Sequence, residues 1–131
     1  MLQNRFKNHL ADKSWLAGFL DGDGCIYFNP TRSRKGYNNN YYTSHDIQVI
    51  ISQSGMAGLE LLTELQMWFG IGKVRETTHL KLGKQQAYEW RIDGEKAVFL
   101  LKEISPYLIL KKEKAEKVIK FWGEKYATAA I

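Results

Sequence analysis

The spacing of apolar positions changes several times along this chain, and each change marks an element. Trp15, Leu16, Phe19 and Leu20 recur at helical spacing, predicting a helix from about Lys13 or Ser14 to Asp21 with Asp12 or Ser14 as N-cap. Cys25 to Thr31 reads as a strand, and Arg32 to Asn40 as a polar loop holding Gly36 and three consecutive asparagines. Tyr41 to Gln53 reads as a second strand, with Ile47, Val49 and Ile51 on one face and Asp46, Gln48, Ile50 and Ser52 on the other. A second helix follows Gly55, carries Leu61, Leu62, Leu65, Trp68 and Phe69, and stops at Gly70. Gly72 to Thr78 and Gln86 to Asp93 form a second hairpin across a loop near Leu82-Gly83-Lys84, where Tyr88, Trp90 and Ile92 alternate with Ala87, Glu89 and Arg91. Ala97, Leu100, Leu101 and Ile104 mark a third helix. Pro106 separates it from a last amphipathic helix with Ala115, Val118, Ile119, Trp122 and Tyr126, and residues 127–131 are expected to fray.

A helix followed by a hairpin with one polar face thus occurs twice, which predicts an α+β domain with one face of its sheet covered. At 131 residues and 44% hydrophobic composition, one domain with a real core is expected. Trp68, Trp90 and Trp122 fall on the apolar stripes and are assigned to that core. Cys25 is the single cysteine, so no internal disulfide can form, and it is expected to pack as a small apolar side chain. His9, His45 and His79 show no metal-binding spacing and are placed on the surface. No apolar run reaches the roughly 20 residues of a membrane span. The first residues, Met1 to Lys7, lack a secretory signal's apolar segment, so an intracellular protein without a membrane partner is expected. Phosphate loops and dinucleotide fingerprints are missing too, which argues against a small-molecule cofactor.

The formal net charge of +5 is weak evidence by itself; the distribution of polar side chains adds to it. Tyr27, Asn29, Thr31, Asp46, Gln48, Lys73, Arg75, Thr77, Glu89 and Arg91 fall on the polar faces of the four strands. Arginine and glutamine can bond guanine and adenine edges, and a carboxylate can accept from cytosine. Arg32, Arg34, Lys35, Lys81 and Lys84 lie in the loops, where they could hold phosphates without reading sequence. A solvated sheet face has the same look. Four strands of about eight to ten residues would extend roughly 30 Å, about nine base pairs of duplex, and two such sheets about 18 to 20.

Leu16-Ala17-Gly18-Phe19-Leu20-Asp21-Gly22-Asp23-Gly24 is the most informative segment. Ala17 and Gly18 leave a flat patch on a helix where another backbone could come close. Glycine inside a helix costs about 1 kcal/mol relative to alanine, so Gly18 needs a packing reason. Asp21 and Asp23 stand at the helix C-terminus, where the macrodipole disfavours negative charge, and a carboxylate held there suggests a bound cation. Taken alone, Asp-Gly-Asp-Gly also reads as an ordinary helix-ending turn.

The segment resembles the LAGLIDADG motif of homing endonucleases, with Leu16, Ala17, Gly18, Asp21, Asp23 and Gly24 identical. The resemblance implies the αββαββα fold of that family, with a four-stranded antiparallel DNA-binding saddle and the motif helix at a dimer interface. The motif occurs once, which in this family implies a homodimer, and Leu16, Ala17, Gly18, Leu20 and Asp21 are the residues expected at that interface. It further implies a site-specific double-strand DNA endonuclease, intron-encoded, cutting a long near-palindromic target with Mg2+ (Mn2+ or Ca2+ could occupy the same site). Asp23 would ligate the metal, with the carbonyl of Gly22 beside it. Lys111 would stabilise charge near the scissile phosphate, although it also reads as one more solvated lysine of a lysine-rich helix. Gln53 would orient water, although it also reads as an ordinary strand-end glutamine. Relatives place a basic residue soon after that glutamine, whereas this chain has Gly55-Met56-Ala57-Gly58. A protein of the same fold that binds nucleic acid without cutting it, an RNA maturase or a regulator, is the alternative.

Overall fold

In the computed structural model, which describes residues 9–77 and 85–127, every apolar stripe closes onto one face of one sheet. The order is α1 (His9–Asp23), β1 (Gly24–Lys35), β2 (Tyr41–Ser54), α2 (Gly55–Phe69), β3 (Lys73–Glu76), β4 (Ala87–Asp93), α3 (Gly94–Ile104) and α4 (Lys112–Ala127). This is the expected αββαββα arrangement with a further helix at the end. The strands are antiparallel in the order β1-β2-β4-β3, so the two hairpins meet along β2 and β4.

Strand parity decides what is covered. Ile26 on β1, Ile47, Val49 and Ile51 on β2, and Trp90 and Ile92 on β4 are buried. Leu16 and Leu20 of α1, Leu62 and Leu65 of α2, Leu101 and Ile104 of α3, and Val118 of α4 close over them. Each such leucine removed from water contributes about 1.5–3 kcal/mol. The Trp90 indole N–H donates to the Ile71 carbonyl at 2.9 Å, so the largest core side chain leaves no buried donor unpaired.

Several boundaries differ from expectation. α1 starts before Asp12 and Ser14, so neither is its N-cap, and it runs on to Asp23. Arg32 to Lys35 continue β1 in place of a loop, and the reversal is confined to the end of the hairpin. There the Gly36 N–H donates to the Asn40 carbonyl at 2.6 Å, and Asn38 and Asn39 take positive φ, a conformation asparagine tolerates better than most residues. Strand lengths are unequal, 12 and 14 residues in the first hairpin against 4 and 7 in the second. The loop near residues 82–84, His79 and residues 128–131 lie outside the described residues. Trp68 is 41% exposed, so of the three core tryptophans only Trp90 is fully enclosed, with Trp122 half-buried.

Gly70 ends α2 in the left-handed conformation, and Gly72, at φ +83°, carries the turn into β3. A Cβ at Gly72 would stand 2.5 Å from the Trp90 indole nitrogen and 2.9 Å from the Arg91 carbonyl. Gly72→Ala is therefore expected to cost at least about 2 kcal/mol through backbone strain and overpacking. Urea denaturation checks this, with an unchanged midpoint as the contrary result.

Candidate active site and nucleic-acid interface

The polar face of the sheet is assembled by register. Tyr27 lies opposite Gln48, and Asn29 opposite Asp46; Gln48 faces Asp93, Ser52 faces Glu89, Lys73 faces Arg91 and Arg75 faces Glu89. Between Asn29 and Arg32 the pairing with β2 slips by one residue, a β-bulge around Pro30, whose missing N–H suits such a place on an edge strand. Beyond the bulge the parity of β1 is reversed. Arg32 and Arg34 consequently share the face of Tyr27 and Asn29, while Ser33 and Lys35 turn to the other one. The two arginines are thus strand residues of the polar face, not loop residues, and Lys35 is separated from them. Thr31 sits in the bulge, its N–H donating to Asn29 Oδ1 at 3.1 Å. Thr77 lies just past the end of β3, and its N–H donates to the Ala87 carbonyl at 3.0 Å. Lys81 and Lys84 lie outside the described residues.

Much of the charge on this face is internally paired. Arg75 Nε donates to Glu89 at 2.6 Å, Arg91 Nε to Asp93 at 2.9 Å, and both Arg32 and Arg34 reach Asp46. The Arg32 guanidinium, then Arg34, hold the Asp46 carboxyl below its ordinary value, against the opposing effect of burial. Cys25 is exposed here, opposite Ile50, and not packed inside. The period-2 alternation sends it outward because Ile26 takes the core position. His45 has the opposite fate: it is stacked beneath α4 against Phe121 and Trp122, not on the open surface.

At one end of the sheet the C-terminus of α1 brings together four of the expected residues. Asp23 is exposed, and Gln53 Nε2 donates to its Oδ2 at 3.0 Å. Gln53 belongs by register to the helix-covered face, opposite Tyr88, and reaches Asp23 from the end of β2. Ser52, Ser54 and Ala87 line an open depression beside this pair. Asp21 points elsewhere. Its Oδ2 accepts the Ile109 N–H at 2.8 Å and its Oδ1 the Lys111 N–H at 2.9 Å. Burial pushes the Asp21 carboxyl up, and the N–H groups of Ile109, Lys111 and Leu110 more than reverse this, leaving it below its ordinary value. Lys111 Nζ donates back to the Asp21 carbonyl at 2.8 Å, satisfying one of the open carbonyls at the end of α1. Lys111 is therefore a fixed ammonium at the helix end that carries Asp23.

Among the described residues no three His, Cys, Asp or Glu side chains gather as a metal centre. One exposed carboxylate and the carbonyl of exposed Gly22 are what this end provides. Both are hard oxygen donors, and Mg2+ commonly takes one or two carboxylates, with waters and substrate phosphates completing its shell. The donor set fits Mg2+ once phosphates or a second copy of the site stand next to it.

The interface expectation divides by helix face. Leu16, Ala17 and Leu20 are 0% exposed, enclosed by the chain's own core, and Asp21 is engaged by the segment before α4. Leu16, Ala17 and Leu20 lie on the inward face of the helix and offer no surface to a second copy, whereas Asp21 is half-buried at its edge. Ser14, Trp15, Gly18 and Gly22 are exposed, and Ser14, Gly18 and Gly22 follow one another at four-residue spacing along one stripe. Among the described residues, a Cβ at Gly18 or Gly22 would meet nothing within 4 Å. Next to the Asp21 contact stand Ile109 and Leu110, 83% and 78% exposed, which sequence reasoning passed over. Their signal was an apolar pair after Pro106 that belongs to no helical stripe.

The family profile described as LAGLIDADG endonuclease matches residues 16–127. Among solved structures, the homing endonuclease I-CvuI in complex with the I-CreI target in the presence of Mg is 29% identical, with a TM-score of 0.66, covering 88% of this chain and 67% of that one. I-CvuI with its own target in the presence of Ca is likewise 29% identical, with a TM-score of 0.65 over 84% of this chain and 64% of that one. The archaeal intron-encoded homing endonuclease I-Vdi141I, complexed with DNA, is 18% identical, with a TM-score of 0.56 over 80% and 62%. This chain thus spans about two thirds of the length of these relatives. No curated protein sequence matches it. No helix of the described residues is long and apolar enough to cross a membrane.

The pairing at Asp46 has a pH signature. Its folded value lies below the ordinary 3.8, so the stability it contributes is fully present above that value and lost as pH falls through the folded one. Asp46→Asn should therefore lower the urea midpoint at neutral pH, and the gap to wild type should close at the acid end. A gap that persists at acid pH contradicts the ion-pair account.

Proposed function

Because the chain belongs to the LAGLIDADG endonuclease family, we propose that it is a site-specific double-strand DNA homing endonuclease that works as a homodimer with a divalent metal. Carriage by an intron, as described for I-Vdi141I, is part of the same reading. The observation that carries it is the constellation at the end of α1: exposed Asp23 bonded to Gln53, with Lys111 anchored on Asp21 two residues away. Double-stranded DNA would lie along the polar face of the sheet, with the scissile phosphates over the depression beside Asp23.

Asp23 and the Gly22 carbonyl would hold the ion, which when bound supplies an activated water and charge stabilisation at the leaving oxygen. The I-CvuI complexes, formed in the presence of Mg and of Ca, support a divalent ion here. Gln53 fixes the carboxylate by its hydrogen bond and leaves an amide oxygen to orient water. Lys111 offers positive charge to the phosphate, and its tie to the Asp21 carbonyl sets where that charge stands.

Gly18 and Gly22 support the homodimer. Gly18, inside the helix, weakens α1 by about 1 kcal/mol relative to alanine, and among the described residues no close approach makes use of the Cβ missing at Gly18 or Gly22. A second copy of α1 packed along the Ser14–Gly18–Gly22 stripe would use it, with exposed Ile109 and Leu110 extending the contact. Two copies related by a twofold axis would bring two Asp23 carboxylates together and align two sheets on one duplex.

One observation favours binding without cleavage. Gly55-Met56-Ala57-Gly58 supplies no cation behind Gln53, and a Cβ at Gly58 would come within 2.7 Å of Gln53 Cβ, so nothing larger fits there. Asp23→Asn decides between the readings. Cleavage of a selected target in Mg2+ should fall at least about 100-fold while binding changes little; a wild type that binds DNA and never cuts it favours the second reading. Gly18→Leu separately tests the dimer. The substituted chain should keep its helical circular dichroism and sediment as a monomer where the wild type sediments at twice the chain mass, and a wild-type monomer contradicts the proposal.

A further inference from the structure

The β-bulge at Pro30 sets Arg32 and Arg34 side by side on the polar face, and both meet one carboxylate. Arg32 Nη1 donates to Asp46 Oδ2 at 2.5 Å, and Arg34 Nη2 to Asp46 Oδ1 at 2.6 Å. Arg34 Nε also donates to Ser44 Oγ at 2.9 Å. The Asp46 side chain is only 13% exposed, whereas those of Arg32 and Arg34 are 47% and 40% exposed. With Nε and one N–H of Nη2 tied, the plane of the Arg34 guanidinium is fixed, and among the described residues its end, formed by Nη1 and the second Nη2 N–H, has no other partner and is left for a ligand. Arg75 shows the contrast: it holds Glu89 through Nε with its side chain 59% exposed.

We infer that Arg34 reads a guanine in each half of the target and that Asp46, with Ser44, is its positioning residue. The inference rests on the DNA-binding reading above. A phosphate clamp works through charge and gains from an extended, unpaired cation. Here one carboxylate already offsets part of the charge of two arginines, so what Arg34 retains is geometry. Two N–H groups in a fixed plane suit the O6 and N7 acceptors of guanine in the major groove. The rotamer entropy that a flexible arginine would lose on binding is lost already at folding. Asp46, with both oxygens engaged by arginine, does not itself read cytosine. Arg32 shares the carboxylate through one nitrogen and keeps it ionised between the two guanidiniums. The neighbouring depression, lined by Gln48, Arg91 and Asp93 together with these residues, gives a base edge room to enter.

The test is a binding titration of the full chain against duplexes that vary a selected target one base pair at a time, repeated over a range of salt. Wild type should prefer guanine at one position of each half-site. Arg34→Lys should reduce that preference by about tenfold or more and leave the other positions and the salt slope unchanged. Asp46→Asn should relax the same position, and Ser44→Ala should do so by about threefold. Ser44→Ala decides the matter if Asp46→Asn fails to fold. If Arg34→Ala, which removes the charge, lowers the salt slope by about one and weakens all sequences alike, Arg34 is a phosphate contact and the inference is overturned. It is also overturned, with the endonuclease reading intact, if wild type binds duplexes without that guanine preference or if the Asp46 and Ser44 variants keep it. A wild type that binds no duplex overturns both.

Discussion

The carboxylate of Asp21 joins two parts of the chain that lie 88 and 90 residues apart, and the proposed active site depends on that joint. A negative charge at the C-terminus of a helix is unfavourable against the macrodipole. Here backbone N–H groups from the segment ahead of α4 and the ammonium of Lys111 offset it. Once Asp21 is so engaged, α1 continues through Gly22 and leaves Asp23 exposed above the end of β2, within reach of Gln53. The same contact anchors Lys111 and presents Ile109 and Leu110 at the surface. The two aspartates of the motif thus divide their work, one holding the fold and one facing outward.

Three glycines contrast with the two on the outer stripe of α1. Gly24, Gly58 and Gly72 stand where an added Cβ would strike a neighbour inside the chain, so their absent side chains are used by the fold. At Gly24 the collision would be with Leu20 and Ile51, where helix passes directly into strand. Gly18 and Gly22 have open space in front of them. In the proposed dimer a second copy covers that stripe, and each copy brings one Asp23.

Local pattern made most of the fold legible. The alternation of Ile47, Val49 and Ile51 identified the covered face of β2, the leucines before Gly70 identified α2, and the motif residues pointed to Asp23. What the sequence concealed came from two sources. The first is counting along a strand: one extra residue at the bulge reverses the parity of everything after it, which moved Arg32 and Arg34 onto the polar face and turned Lys35 away. The second is non-local contact. The anchoring of Asp21 and Lys111, the inward burial of Leu16, Ala17 and Leu20, the stacking of His45 under α4, and the coupling of Asp46 to two arginines all depend on neighbours that no short window contains.

In the proposed homodimer each chain supplies half of one cleavage site. Two copies joined by a flexible linker, one wild type and one carrying Asp23→Asn, test this when assayed on supercoiled DNA containing the selected target. The account predicts that the linked wild-type pair makes double-strand breaks and that the mixed pair, although it binds the same DNA, makes none. Double-strand cleavage by the mixed pair at the rate of the wild-type pair would contradict it.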